Sequence, residues 1–199
     1  MRRVQILVFL FIVTLVVPAR SDNRDDWQQP QKIMDSIGVR PGMVIGEPGA
    51  GRGYFTFKLS ARVGPSGHVY ANDISESALN HIEAHCRERK IENITTLVGV
   101  EDSPLLPARK MDMVIMVYVF HDLTMPVEFI RNIIPSMKLG ATLVLVEREP
   151  EKSDSPYDKS HFFSRAKIER LVREAGYRVV RVETFLPRDT IYILRPERY

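Results

Sequence analysis

Apolar and polar residues along the chain change period repeatedly, and each change marks an element. From Pro30 to Ile37 the apolar positions recur at helical spacing, with a proline at the start and Gly38 behind them, which predicts a short helix. After the turn Arg40-Pro41-Gly42, the run Met43 to Gly46 reads as a central strand buried on both faces. Phe55 to Val63 predicts a helix stopped by Gly64, His68 to Asp73 a second strand, and Glu76 to Lys90 a longer helix. Ile94 to Val98 and Met111 to Val117 are the third and fourth strands. Pro126 to Met137 predicts a helix whose last turn is kinked by Pro135, with Gly140 as its stop, followed by a fifth strand from Thr142 to Glu147. Arg148 to Ser160 is polar, lacks periodicity and is expected to be a surface loop, with a lid as the alternative. Ser164 to Ala175 carries Ile168, Leu171 and Val172 on one face, and Arg178 to Thr184 with Thr190 to Leu194 reads as a terminal hairpin.

Strands alternating with helices predict an α/β fold around a largely parallel sheet. The chain shows no internal repeat, low-complexity tract or second domain, so one domain is expected over residues 22–199.

Residues 1–21 stand apart. Met1-Arg2-Arg3 precedes an unbroken apolar run from Val4 to Val17, and Pro18 with Ala19-Arg20-Ser21 suits the end of a secretory signal. The run is short for a spanning helix. The segment therefore reads as an export signal or, uncleaved, as a short membrane anchor, with the domain facing away from the cytosol. A misassigned start would instead leave the domain cytoplasmic.

Charge changes the picture only once that segment is set aside. Three of the 28 basic residues lie within it, leaving 25 against 25 acidic residues, so the remaining chain is formally neutral. A binder of phosphate backbones keeps a basic face, and nucleic acid is disfavoured as a partner. Cys86 is the single cysteine, which excludes an intrachain disulfide and a Cys-based zinc site; no metal site is expected.

The densest chemistry lies in Val44-Ile45-Gly46-Glu47-Pro48-Gly49-Ala50-Gly51-Arg52-Gly53-Tyr54-Phe55-Thr56. An apolar run, an acid, alternate glycines and a helical pattern read as strand, tight turn and helix N-terminus, a cradle for a ligand. Tyr54 stands where a dinucleotide fingerprint has its third glycine, and no Lys-Ser/Thr pair provides a triphosphate site. Asp73 follows Gly53 by 20 residues, a spacing that brings its carboxylate to the edge of the neighbouring strand, beside the bend. There it accepts bonds from ribose hydroxyls or, on the plainer reading, caps the helix that follows.

The spacing Glu47-x-Gly49-x-Gly51-x-Gly53 resembles the first motif of the class I S-adenosylmethionine-dependent methyltransferases. Glu101 to Pro107 and Tyr118-Val119-Phe120-His121 look like a bacterial subgroup whose members often carry export signals. The resemblance covers about residues 30–195. It implies a Rossmann-like, doubly wound, seven-stranded sheet in the order 3-2-1-4-5-7-6, strand 7 antiparallel, with S-adenosylmethionine as cofactor.

The resemblance further implies that Gly49, Gly51 and Gly53 shape the turn and that Glu47 faces the methionyl ammonium. Asp73 would hold the ribose and Glu101 or Asp102 the adenine, with Tyr54, Ile74 and Val117 completing the cofactor site. His121 leaves the end of the fourth strand, where open α/β sheets bind ligands, and titrates near neutrality. It is the candidate base for the acceptor, or else it ties its loop to a backbone carbonyl. Tyr118 and Phe120 are expected as pocket walls. The acceptor would be a small molecule, or one dissolved in a membrane that the apolar run from Val4 to Val17 contacts. A non-catalytic nucleoside-binding module of the same fold is the competing reading. An exported domain and a cofactor made in the cytosol also pull against each other.

Overall fold

A computed structural model of the chain describes residues 23–199. The export signal or anchor expected at residues 1–21 lies outside the described residues, and no helix among the described residues is long and apolar enough to cross a membrane. Two short helices, α1 (Asn23–Gln28) and α2 (Pro30–Ile37), lead into β1 (Val44–Pro48). Then come α3 (Tyr54–Val63), β2 (His68–Asp73), α4 (Glu76–Arg89), β3 (Ile94–Val98) and β4 (Met111–Val117). The second half holds α5 (Pro126–Arg131), β5 (Met137–Arg148), α6 (Pro156–His161), α7 (Arg165–Glu174), β6 (Tyr177–Glu183) and β7 (Asp189–Pro196).

The strands form one sheet in the order β3-β2-β1-β4-β5-β7-β6. β1 to β5 run parallel, and β7 lies antiparallel between β5 and β6. This is the Rossmann-like architecture and strand order expected from the sequence.

Successive strand residues face opposite sides of a sheet, so the apolar runs of β4 and β5 supply two cores at once. Met113, Ile115, Val144 and Val146 pack on α2 and α3 through Ile33, Met34, Phe55 and Leu59. Val114, Met116, Leu143 and Leu145 face the other way, onto Phe129 and Ile130 of α5 and Ile168 and Val172 of α7. Leu79 and Ile82 of α4 close a smaller cluster with Ala50 and Ala71.

Four local expectations are corrected. The helix expected from Pro126 to Met137 stops at Arg131; a 3-10 turn at Ile134–Ser136 contains Pro135, which has no N–H to continue the ladder. Gly140 does not end a helix but lies inside β5. Met111 pairs with Met137 and Met113 with Thr142, so the residues between form a bulge in which Gly140 takes φ +83°. The segment from Arg148 to Ser160 is not a bare loop. It contains a 3-10 turn at Pro150–Lys152 and then α6, whose N-cap Ser155 accepts the Asp158 N–H. The buried Asp158 carboxylate fastens this segment, accepting from Arg148 Nε at 2.9 Å and Ser153 Oγ at 2.6 Å. Finally, Phe120 is fully buried among Phe129, Ile130 and the other residues of the α5/α7 core, and does not wall the cleft.

Candidate active site

β1 pairs with β2 on one side and β4 on the other, so the order of connections reverses beside it. Ligands in open α/β sheets sit beyond the carboxyl ends of the strands at such a switch point. The bend at Gly49 to Gly53 begins there. Gly49 takes φ +74°, and a Cβ added to it would lie 2.2 Å from Val119 Cγ2, so no side chain fits. The bend is tied to β2 by the Ala50 N–H, donated to the Asn72 carbonyl at 2.9 Å.

Asp73 closes the bend. Its Oδ2 accepts the Gly51 N–H at 2.8 Å, and its Oδ1 accepts the Ser75 N–H at 2.9 Å. Each carboxylate oxygen can accept two bonds, so one acceptor site on each remains for a ligand hydroxyl. The plainer reading of Asp73 as the cap of α4 is corrected: Ser75 caps that helix by accepting the Ala78 N–H, while Asp73 braces the turn before it and meets the glycine bend. A cleft of about 340 Å³ opens here, bordered by Gly49, Asp73 and Ile74 on one side and by Tyr118, Val119 and Asp122 on the other. A wider groove of about 650 Å³ near Arg109, Pro135 and Lys138 lies where β5 begins, the sheet edge that does not hold ligands in this architecture.

Beneath the bend Glu47 is buried, and its Oε2 has no hydrogen-bond partner among the described residues. Burial pushes its carboxyl up to about 8, only partly opposed by Thr56 and Arg24. Thr56 Oγ1, which interacts with this carboxyl, and also Gln28 Nε2 and Tyr118 OH are buried with no partner in good hydrogen-bond geometry among the described residues. Of these residues Tyr118 borders the cleft, and its hydroxyl interacts with the buried Asp189 carboxyl. Tyr118 sits at φ +58°, a strained backbone for a bulky residue, held by its N–H donated to Val146 O at 2.9 Å. Trp27 of α1 faces its ring at 6.1 Å.

The structure separates the remaining expected residues. Tyr54 opens α3 and donates its hydroxyl to Asp25, which also receives Lys58 at 2.8 Å, so Tyr54 fastens α1 to α3. Val117 ends β4, half-buried, just before Tyr118. Glu101 and Asp102 form the tip of a turn closed by Val100 and Ser103, and neither borders the cleft. Cys86 is half-buried on α4, where burial pushes its thiol up, away from a reactive thiolate.

His121 is bound to a carboxylate, not to a backbone carbonyl. Its Nδ1 lies 2.6 Å from Glu147 Oε2, and both side chains are almost wholly buried. Glu147 Oε1 accepts the N–H groups of Val119 at 3.2 Å and Phe120 at 2.9 Å. One carboxylate therefore holds the whole loop after β4. Desolvation opposes charging of the imidazole, but the Glu147 hydrogen bond and the nearby acids outweigh it and raise the His121 pKa. Its Nε2 faces Asp122 at 3.5 Å. Glu147 and Asp122 were not singled out from the sequence; the signal available for Glu147 was an acid at the carboxyl end of an otherwise apolar strand.

Known proteins share this fold. Residues 40–179 match the family described as "Methyltransferase domain". Nocamycin O-methyltransferase of Saccharothrix syringae is 32% identical over 84 residues, covering 42% of this chain and 30% of that protein. Demethylmenaquinone methyltransferase of Lactococcus lactis is 32% identical over 118 residues, covering 58% of this chain and 46% of that protein. The aligned parts thus span less than half the length of these relatives. A SAM-dependent methyltransferase from Aquifex aeolicus superposes with a TM-score of 0.81 at 25% identity, covering 87% of this chain and 93% of the other. With the family match extending over most of the described residues and the same sheet around a glycine bend, this chain belongs to the methyltransferase-domain family and is built as a class I S-adenosylmethionine-dependent methyltransferase.

Proposed function

We propose that the chain transfers the methyl group of S-adenosylmethionine to a small-molecule acceptor bound on the Tyr118 and Asp122 side of the cleft. The observation that carries this reading is Asp73, whose carboxylate meets the glycine bend and keeps an acceptor site on each oxygen for the two hydroxyls of a ribose. The buried Glu47, whose Oε2 has no hydrogen-bond partner among the described residues, suits the methionyl ammonium, which would draw it into its ionised form. Gly49, Gly51 and Gly53 shape the bend that the cofactor would meet, and Ile74, 67% exposed at the cleft, offers an apolar face to the adenine. The sulfonium supplies the leaving group; the protein contributes positioning and exclusion of water.

A small acceptor is favoured by the formally neutral chain beyond residue 21 and by a cleft in the size range of small ligands. The two curated relatives are named for the methylation of nocamycin and of demethylmenaquinone. The test is incubation of full-chain protein with methyl-labelled S-adenosylmethionine and a fractionated small-molecule extract. Transfer of label to an extract component supports the proposal, whereas retained cofactor with no transfer to any fraction favours the non-catalytic module.

For the first segment the proposal remains export or anchoring by the apolar run from Val4 to Val17. Mass spectrometry of the N-terminus in fractionated cells tests it; an intact Met1 in the soluble cytosol overturns it.

A further inference from the structure

Next to the acceptor side of the cleft, three side chains bring together ligand atoms that no step of methyl transfer has yet used. One ring nitrogen each of His121 and His161 and an Asp122 carboxylate oxygen all lie within 4.8 Å of one another. Asp122 presents Oδ2 to His121 Nε2 at 3.5 Å and Oδ1 to His161 Nε2 at 3.6 Å. Ligands bound tetrahedrally at 2.0–2.1 Å stand about 3.4 Å apart, so these pairs need only small adjustments to share an ion.

We propose that His121, Asp122 and His161 bind one divalent transition-metal ion of the zinc class, with a fourth position left for an oxygen or sulfur of the acceptor. Two imidazoles and a carboxylate are the donor set that such ions prefer.

The surroundings argue the same way. Metal-binding histidines commonly give their second ring N–H to a carboxylate, which fixes the tautomer and aims the other nitrogen. His121 Nδ1 lies 2.6 Å from the accepting Glu147 Oε2, while the other Glu147 oxygen accepts the Val119 and Phe120 N–H groups. The His161 ring is braced by Tyr157, stacked at 4.9 Å, and the Phe162 ring lies 4.5 Å from that of His121. Asp122 is 60% exposed and His161 36%, which gives an ion a path in. The carboxylates of Glu147 and Asp122 also place negative charge where a dication would sit.

The ligands come from two separated segments, the loop after β4 and the end of α6. A bound ion would clamp α6 beside the cleft. It would also replace the free base expected of His121. An acceptor O–H or S–H on the ion would lose its proton to solvent, and the resulting anion would form the bond to the methyl carbon as the carbon–sulfur bond breaks, leaving its electron pair on sulfur. The role in catalysis rests on the methyltransferase reading; the binding of the ion does not.

The test uses full-chain protein stripped with a chelator and titrated with Zn²⁺ by calorimetry and with Co²⁺ by visible absorption. One ion per chain and the absorption of four- or five-coordinate cobalt are expected. His161→Ala and the exposed Asp122→Asn should each weaken Zn²⁺ binding at least tenfold while circular dichroism stays unchanged. No binding by the unsubstituted protein, or equal binding by folded His161→Ala, overturns the proposal. S-adenosylmethionine binding is measured separately. Cofactor binding without any metal uptake overturns the ion site and leaves the methyltransferase reading intact. Metal uptake without cofactor binding supports the site but overturns its part in methyl transfer.

Discussion

Asp73 and Gly51 meet through a bond of 2.8 Å between the carboxylate and the glycine N–H, joining the tip of β2 to the bend that follows β1. The same carboxylate receives the Ser75 N–H, so one side chain sets both the shape of the bend and the start of α4. Asp73→Ala is expected to weaken S-adenosylmethionine binding at least tenfold by calorimetry, because it removes the ribose acceptor and loosens the bend. Asp73→Asn keeps one acceptor oxygen and should fall between the two.

Gly49→Ala probes the bend without touching charge. The added Cβ meets Val119 Cγ2 at 2.2 Å and the backbone stands at φ +74°, so either the bend or the loop after β4 must move. A loss of about 1–3 kcal/mol in stability is expected from chemical denaturation, together with weaker cofactor binding.

Glu47 predicts a pH dependence with a definite sign. Its folded-state pKa of about 8 lies above the ordinary carboxyl value of 4.5. Between the two the folded chain holds a proton that the unfolded chain has released. The stability of the cofactor-free protein therefore falls as pH rises through that window and levels off above it. A cofactor ammonium that favours the ionised form reverses the trend for binding, so affinity rises toward pH 8 with release of a proton. Thermal melts and calorimetry from pH 5 to 9 check both slopes; Glu47→Gln should remove this residue's contribution to each.

Tyr177→Phe separates stability from the site. The buried hydroxyl donates to the Ile130 carbonyl at 2.8 Å, on the α5/α7 face of the sheet. Its removal leaves that carbonyl without this donor and should cost about 1–2 kcal/mol in a denaturant titration, with cofactor affinity unchanged.

Most of the architecture was legible because its signals are periodic. His68–Asp73, Ile94–Val98 and Met111–Val117 are apolar-rich runs bounded by turn residues, and the structure sets these strands at those residues. Asp73 was legible because a strand-helix-strand unit fixes the distance from the glycine bend. Short elements left no such trace. α6 has six residues, too few to show a period, although Ser155-Pro156 is a capping pair. The β5 bulge turns on Gly140, whose left-handed backbone suits a helix stop equally well. Glu147 could not be assigned as the partner of Val119, Phe120 and His121, because that partnership depends on β5 lying beside β4 rather than on any spacing. The relation of Glu101 and Asp102 to the cleft depends on how the Val100–Ser103 turn folds, which composition does not encode.

The ladder between β1 and β4 is narrow, with Ile45 paired to Met113 and Gly46 to Val114. β4 keeps six paired residues with β5, and β1 five with β2. The two banks of the cleft are thus tied to different neighbours, the glycine bend to β2 through Asp73 and the Tyr118 bank to β5 through Glu147. A small widening or narrowing of the cleft disturbs the fewest interstrand bonds if it occurs as a shear along that thin seam. The distance between donor and acceptor is therefore set across the ladder with the fewest paired residues among the described strands.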